Sequence, residues 1–319
     1  MRRRVLLRGV QIAGTAVLVI LLLRQLDWGA LAQLPAQAHW GWLAAAALVL
    51  GLAHGLNILR WRGYIGPDAP GWATLTAMYG AGLFSNNFLP TGVGGDGVRV
   101  VLLSQHIPMP RALVAVGLDR LVGLAALLVL IPPGLLLGLP PGLDHAATAA
   151  LEQRALPVAL LGLAALGLGL AAWRWLPGLR QSVLRLAERP LSMLRAANWG
   201  EGQRTRVLAV GYGLSALGQI CIAVAYYATL AGLSLPASAG AAIWLACSGA
   251  LVLLVPITIN GLGLMESTFV VVLGAYGIAA TPAVAVALVS RALLLLFSLA
   301  GGLVSVYWTP RWRGQHLEG

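Results

Sequence analysis

Between Arg206 and Glu266 the sequence carries no charged side chain, and the same holds between Asp27 and Arg60 and between Glu266 and Arg291. A helix at the surface of a water-soluble protein keeps one polar face and cannot run uncharged for so long. A bilayer asks for the opposite pattern. Its ~30 Å hydrocarbon core is crossed by about 20 mostly apolar residues. The composition agrees: 59% of the 319 residues are hydrophobic and 10% are charged, where an ordinary soluble domain has about a quarter charged. The fold class expected is therefore an all-α polytopic membrane protein, with full spans at about 6–26, 40–59, 112–138, 156–176, 207–231 and 283–307. The basic start imitates a leader peptide, but the small-residue site Ala36-Gln37-Ala38 lies far beyond the end of the apolar run. A retained first helix is expected.

The net charge of +11 comes from 21 arginines and no lysine, and its placement argues against nucleic acid as a partner. Arg2, Arg3, Arg4 and Arg8 precede the first span, Arg60 and Arg62 follow the second, and Arg311 and Arg313 follow the last. Seven more, from Arg174 to Arg206, crowd one loop. With those segments in the cytoplasm, the remaining loops keep only Arg24 and Arg154. This asymmetry sets the orientation of a multi-pass protein, expected in the cytoplasmic (inner) membrane of a bacterium with both termini cytoplasmic. Trp28, Trp40, Trp42, Trp61, Trp72, Trp173, Trp175 and Trp308 fall near span ends, the depth that amphipathic rings prefer. The basic loop 174–206 alternates Leu179, Val183, Leu184 and Leu186 with arginines, the pattern of a helix lying on the inner leaflet. Cys221 and Cys247 stand in apolar spans without metal-ligand spacing and are expected to be buried thiols.

Two segments do not read as simple spans. Residues 73–107 are broken by Asn86, Asn87, Pro90 and the glycines 92, 94, 95 and 97; residues 238–278 are broken by Pro256, Asn260, Gly261 and Gly263. Both are expected to be re-entrant hairpins, since irregular backbone at membrane depth is tolerated only where it lines protein or water. They also resemble one another. Asp96 precedes Arg120 by 24 residues and Glu266 precedes Arg291 by 25; Ile107 to Arg120 and Ile278 to Arg291 are both 13. Three expected spans separate the two units, so the repeat is expected to be inverted. One membrane domain, 1–319, would hold repeat unit 1 at about 73–138, the basic loop 174–206 and repeat unit 2 at about 238–307. Paired broken segments in inverted halves point to a midplane substrate site.

The residues with chemistry follow from the repeat. An arginine at the bilayer centre costs ~2.5–3.5 kcal/mol on insertion scales unless it is paired or hydrated, so Arg120 and Arg291 are candidates for binding an anionic headgroup, with Arg99 guiding it in. Asp96, Asp119 and Glu266 would balance these three charges, either as site members or as structural locks. Gly94 and Gly95 expose backbone N–H groups where a helix restarts at Asp96, which suits an anion; capping by Asp96 serves the same donors equally well. Asn260 and Gly261 occupy the matching break. His54, Asn57, Asn86, Asn87 and Gln219 suit interhelical hydrogen bonds. No nucleophile, zinc-type histidine cluster or phosphate loop accompanies them. No enzyme, cofactor or metal is therefore expected.

The runs RWR (60–62), NNFLPTGVGGDGVR (86–99), LDRLVGL (118–124), PITINGLGLMES (256–267) and SRALLLL (290–296) resemble the lysylphosphatidylglycerol synthase transmembrane-region family, also called the flippase-like domain family. The resemblance spans nearly the whole chain. It implies a lipid flippase fold without the soluble aminoacyl-transferase domain that follows in the best-known members. The function expected is translocation of an anionic or headgroup-bearing lipid, phospho- or polyprenyl-type, by alternating access. The alternative is a non-transporting scaffold for a lipid, hopanoid or glycan pathway. Its basic loop would then hold membrane lipids or a lipid- or glycan-modifying enzyme.

Overall fold

A computed structural model describes residues 36–87, 94–137, 201–252 and 261–315. The spans expected at 6–26 and 156–176, and nearly all of the loop 174–206, lie outside the described residues. Those described form helices and turns, with no strand among them. They are α1 (Trp40–Ile65), α2 (Trp72–Asn86), α3 (Gly94–Leu103), α4 (Met109–Ala126), α5 (Ile131–Leu136), α6 (Glu201–Gly232), α7 (Ala239–Val252), α8 (Leu264–Ala275) and α9 (Ala280–Gln315). A short 3-10 turn, Leu127–Val129, joins α4 to α5.

Four runs are long and apolar enough to cross a bilayer: Trp40–Ile65, Met109–Gly134, Thr205–Gly232 and Ala280–Val306. At 1.5 Å per residue each covers about 39 Å or more. They match the spans expected at 40–59, 112–138, 207–231 and 283–307, with Trp40–Ile65 running on past 59 and Met109–Gly134 ending before 138. Their outward faces carry large apolar side chains, including Leu48, Leu121, Leu303 and Val306. Such a surface would aggregate in water but is the ordinary exterior of a membrane protein.

α1 and α6 form an antiparallel pair. At one end the His39 amide donates to the Gly232 carbonyl at 2.8 Å; at the other, Gly211 leaves room for the Tyr64 ring. The broken segments attach at opposite ends of this pair. α2 begins beside Arg62, whose guanidinium lies 4.6 Å from the centre of the Trp72 ring. α4 begins at that same end, where Arg111 donates to Asp68 at 2.7 Å and to the Ile65 carbonyl at 3.3 Å. The α2–α3 hairpin thus leaves from and comes back to one end of α1. α7 starts at the far end, just after Gly232.

The hairpin limbs are short. α2 and α3 have 15 and 10 residues, α7 and α8 have 14 and 12, so each rises about 15 to 22 Å, less than the hydrocarbon thickness. Matching residues anchor the base of each. Leu103, Ile107 and Ala112 are buried in one apolar cluster, and Leu273, Ile278 and Ala283 in another. The hairpins dock by close backbone approach. A Cβ added at Gly80 on α2 would stand 2.5 Å from the Gly301 Cα on α9, the small-residue contact that lets membrane helices approach without a hydrophobic drive. α7 is met reciprocally by the end of the first unit's span, where Gly134 faces Ile243 and Trp244.

Trp61 departs from its expected place. Trp40, Trp42 and Trp72 are exposed at span ends, but Trp61 is 0% exposed. Its ring is covered by Arg99, whose guanidinium carbon lies 4.1 Å from the ring centre.

Candidate functional site

Asp96 and Glu266 occupy the same place in their hairpins, the third residue of the helix that restarts after the break. Arg120, for which the sequence left Asp96 and Asp119 as partners, meets Asp96, and Arg291 meets Glu266. Asp96 Oδ2 accepts from Arg120 Nε, and Glu266 Oε1 accepts from Arg291 Nε at 2.7 Å. Arg120 and Arg291 each lie 11 residues, about three turns, into the helix that follows (Met109 and Ala280 onward), which runs back beside the restarted helix, so a spacing of 24 or 25 brings the pair to one level.

The two pairs sit in different surroundings. Glu266 Oε2 also accepts the Gly263 amide at 2.7 Å, and Arg291 Nη2 donates to the Gly261 carbonyl at 3.4 Å. Gly261 and Gly263 have φ of +70° and +80°, a backbone that only glycine adopts at little cost. The second pair therefore ties the end of a helix to its own break. Asn260 lies outside the described residues.

In the first unit the pair belongs to a longer chain of charges. Arg99 Nη1 donates to Asp119 Oδ2 at 3.0 Å and to Asp96 Oδ1 at 3.4 Å. Asp119 Oδ1 in turn accepts from Arg60, Nε at 2.8 Å and Nη2 at 2.7 Å, while Arg60 Nη1 donates to Ser215 Oγ at 2.7 Å. Arg60, Asp119, Arg99 and Asp96 are all buried. The Arg120 side chain, at 42% exposed, is the open end of the series. Arg99 is held as well by the faces of Trp61 and Tyr79, the latter at 5.0 Å. Cation–π contacts of this kind replace hydration where no hydrogen-bond acceptor is in reach.

Arg60 is the member that sequence reading missed. Counted as a cytoplasmic charge following a span, it lies instead on α1 a full turn before the helix ends, pointing between α4 and α6. Its place in the RWR run was the available signal. Including it changes the charge arithmetic. Arg60, Arg99 and Arg120 face Asp96 and Asp119, an excess of one positive charge among the described residues of this cluster; the second pair is balanced.

Gly95, at the end of the first break, serves packing. A Cβ on Gly95 would strike the Gly82 carbonyl and the Asn86 side chain, and the Gly95 amide already donates to Asn86 Oδ1 at 2.7 Å. Gly94 opens α3. Asn87 is joined to Ser298 on α9. His54 Nδ1 lies 3.2 Å from the Tyr79 hydroxyl.

Three cavities meet at these residues. One of about 300 Å³ is lined by the first cluster, including Arg60, Asp96, Arg99, Asp119 and Arg120, with Asn57 and Gln219. A second, of about 170 Å³, is mostly apolar and shares Asn57, Gln219, Ile222 and Ala250 with the first. A third, of about 140 Å³, brings Asn86 and Asn87 of the first break beside Met265 and Arg291 of the second unit. Asn86 and Asn87, just before the first break, and Met265 and Arg291 of the second unit thus line one cavity of the helix bundle.

Residues 7–302 match the family described as the lysylphosphatidylglycerol synthase TM region. The chain belongs to that family. The match takes in every residue of both charge clusters and both hairpins. No curated protein and no solved structure matches the chain. Membership in the lysylphosphatidylglycerol synthase TM-region family makes this a multi-pass membrane protein of lipid-related function.

Proposed function

We propose that this protein is a non-enzymatic translocator of an anionic or headgroup-bearing lipid, phospho- or polyprenyl-type, in the inner membrane of a bacterium. The observation that carries the proposal is the excess guanidinium of the Arg60–Asp119–Arg99–Asp96–Arg120 chain, at a cavity flanked by an apolar one. A phosphate group supplies the missing negative charge, and the neighbouring apolar space suits the start of a lipid tail. Arg120, the most open member, takes the phosphate in place of Asp96; Asp96 keeps Arg99, and the pair closes again when the lipid leaves. Charge-assisted bonds to a bidentate guanidinium favour phosphate over a neutral headgroup. The hairpins enter as an inverted repeat from opposite membrane faces, with both termini cytoplasmic, and alternate access by moving against α1 and α6. Their attachment at opposite ends of the α1–α6 pair supports that arrangement.

The test is transport of fluorescently labelled phosphatidylglycerol by the purified chain in phosphatidylcholine vesicles. Arg120→Ala should abolish transport and Arg120→Lys retain part of it. An Arg120→Ala protein that moves the lipid at the wild-type rate overturns the proposal and favours a scaffold.

A further inference from the structure

The positive-inside end of the α1–α6 pair holds a cavity distinct from the three central ones. It has a volume of about 550 Å³ and lies between the last turns of α1 and the first turns of α6. Its cationic lining is Arg60, Arg62 and Arg206, with Trp72 and Gln203 beside them. No acidic side chain lines it among the described residues, and Asp68, the acid next in sequence to its wall, is engaged by Arg111 at 2.7 Å. Arg62 is fixed by donation to the Pro70 carbonyl at 2.7 Å and by the Trp72 ring, while Arg206 is exposed. Arg60 lines this cavity and the central polar cavity alike. Among the described residues, Arg60 is thus the guanidinium common to this cavity and the buried cluster.

We propose that this cavity is an anion-binding vestibule, in which Arg62 and Arg206 receive a phosphate-bearing headgroup before it reaches Arg60 and the buried cluster. Arg60 is already paired with Asp119, but Arg62 and Arg206 are two like charges with no carboxylate in the lining among the described residues, and an anion between them relieves their repulsion. Trp72, half exposed at the same rim, is placed as tryptophan is at headgroup depth, which favours a lipid headgroup over a soluble anion. As the way in for a translocated lipid, the vestibule rests on the translocator reading; binding to it is measurable without transport.

The experiment uses the full chain in phosphatidylcholine nanodiscs. It is titrated with short-chain phosphatidylglycerol, short-chain phosphatidylcholine and inorganic phosphate, for wild type, Arg206→Gln and the Arg62→Gln/Arg206→Gln double. Expected is preferential binding of phosphatidylglycerol, weakened about tenfold in the double variant and by a smaller factor in Arg206→Gln. Because the exposed Arg206 makes no hydrogen bond among the described residues, Arg206→Gln keeps the test alive if the double variant does not fold. Competition by millimolar inorganic phosphate would show that the phosphate group alone is recognised; its absence would assign the lipid. Phosphatidylglycerol binding that is unchanged in both variants, or equal to phosphatidylcholine binding, overturns the vestibule. Unchanged binding in these variants together with lost transport in Arg120→Ala would remove the vestibule and leave the translocator standing. Weakened binding with wild-type transport in Arg120→Ala would do the reverse.

Discussion

Arg60 and Asp119, 59 residues apart in sequence, are joined through two guanidinium nitrogens to one carboxylate oxygen, at 2.7 and 2.8 Å, with both side chains buried. Removing one partner of such a pair strands the other charge, which costs more than the pair itself contributes. Arg60→Ala should therefore destabilise the protein by ~3–5 kcal/mol, because Asp119 would keep only Arg99. Arg60→Ala combined with Asp119→Asn should recover much of that loss. Thermal melting in detergent decides it; a single variant that melts with wild type would show that the pair carries little.

The second unit is expected to behave as a lock. Glu266 engages one oxygen with Arg291 on α9 and the other with the Gly263 amide before its own helix. Arg291→Met alone should lower stability by ~3–5 kcal/mol, while Glu266→Gln with Arg291→Met should fold and still move lipid. A double variant that folds like wild type but transports nothing would place Arg291 in the lipid site instead.

Topology is expected to follow the arginines. In a Cys221→Ala/Cys247→Ala background, Asp68→Cys should be labelled from the cytoplasmic side and Ser234→Cys from outside. The two positions lie at opposite ends of the α1–α6 pair, and Ser234 donates to the Gln37 carbonyl at 3.1 Å at the outer one. Labelling of both from the same side would contradict the structure; reversal of both would overturn the orientation alone.

Docking of the first hairpin is expected to depend on Gly80 and Gly301, whose backbones leave no room for a side chain. Gly80→Val should cost ~1–3 kcal/mol through overpacking and, by tilting α2 away from α9, impair transport beyond the stability loss. Gly97, around which a Cβ meets open space, is the control: Gly97→Ala should be close to neutral. Equal effects at the two positions would show that close approach is not what Gly80 provides.

What the sequence determined by itself is the part governed by solvent and by short-range order. Apolar length marked the four spans that the structure describes, because hydrocarbon excludes unpaired charge over ~30 Å whatever the tertiary arrangement. The breaks read from glycine, proline and asparagine fall between α2 and α3 and between α7 and α8, since these residues interrupt a helix locally. Glu266 as the partner of Arg291 was legible in the sequence, and Arg120 was left between Asp96 and Asp119; the structure pairs it with Asp96. Tertiary structure alone decided the partners of charges that no periodicity connects. Arg60 stands beside a span end, and only the packing of α1 between α4 and α6 turns it inward to Asp119 and Ser215. Trp61 is buried by that same turn and lies beneath Arg99, although its position in the chain is that of a headgroup tryptophan. The asymmetry between the two units came the same way. Ser290 stands where Asp119 stands in the first unit, and Phe269 where Arg99 stands. That difference of two residues is readable in the chain, but its effect appears only when Arg60 arrives from a third helix to complete the excess charge.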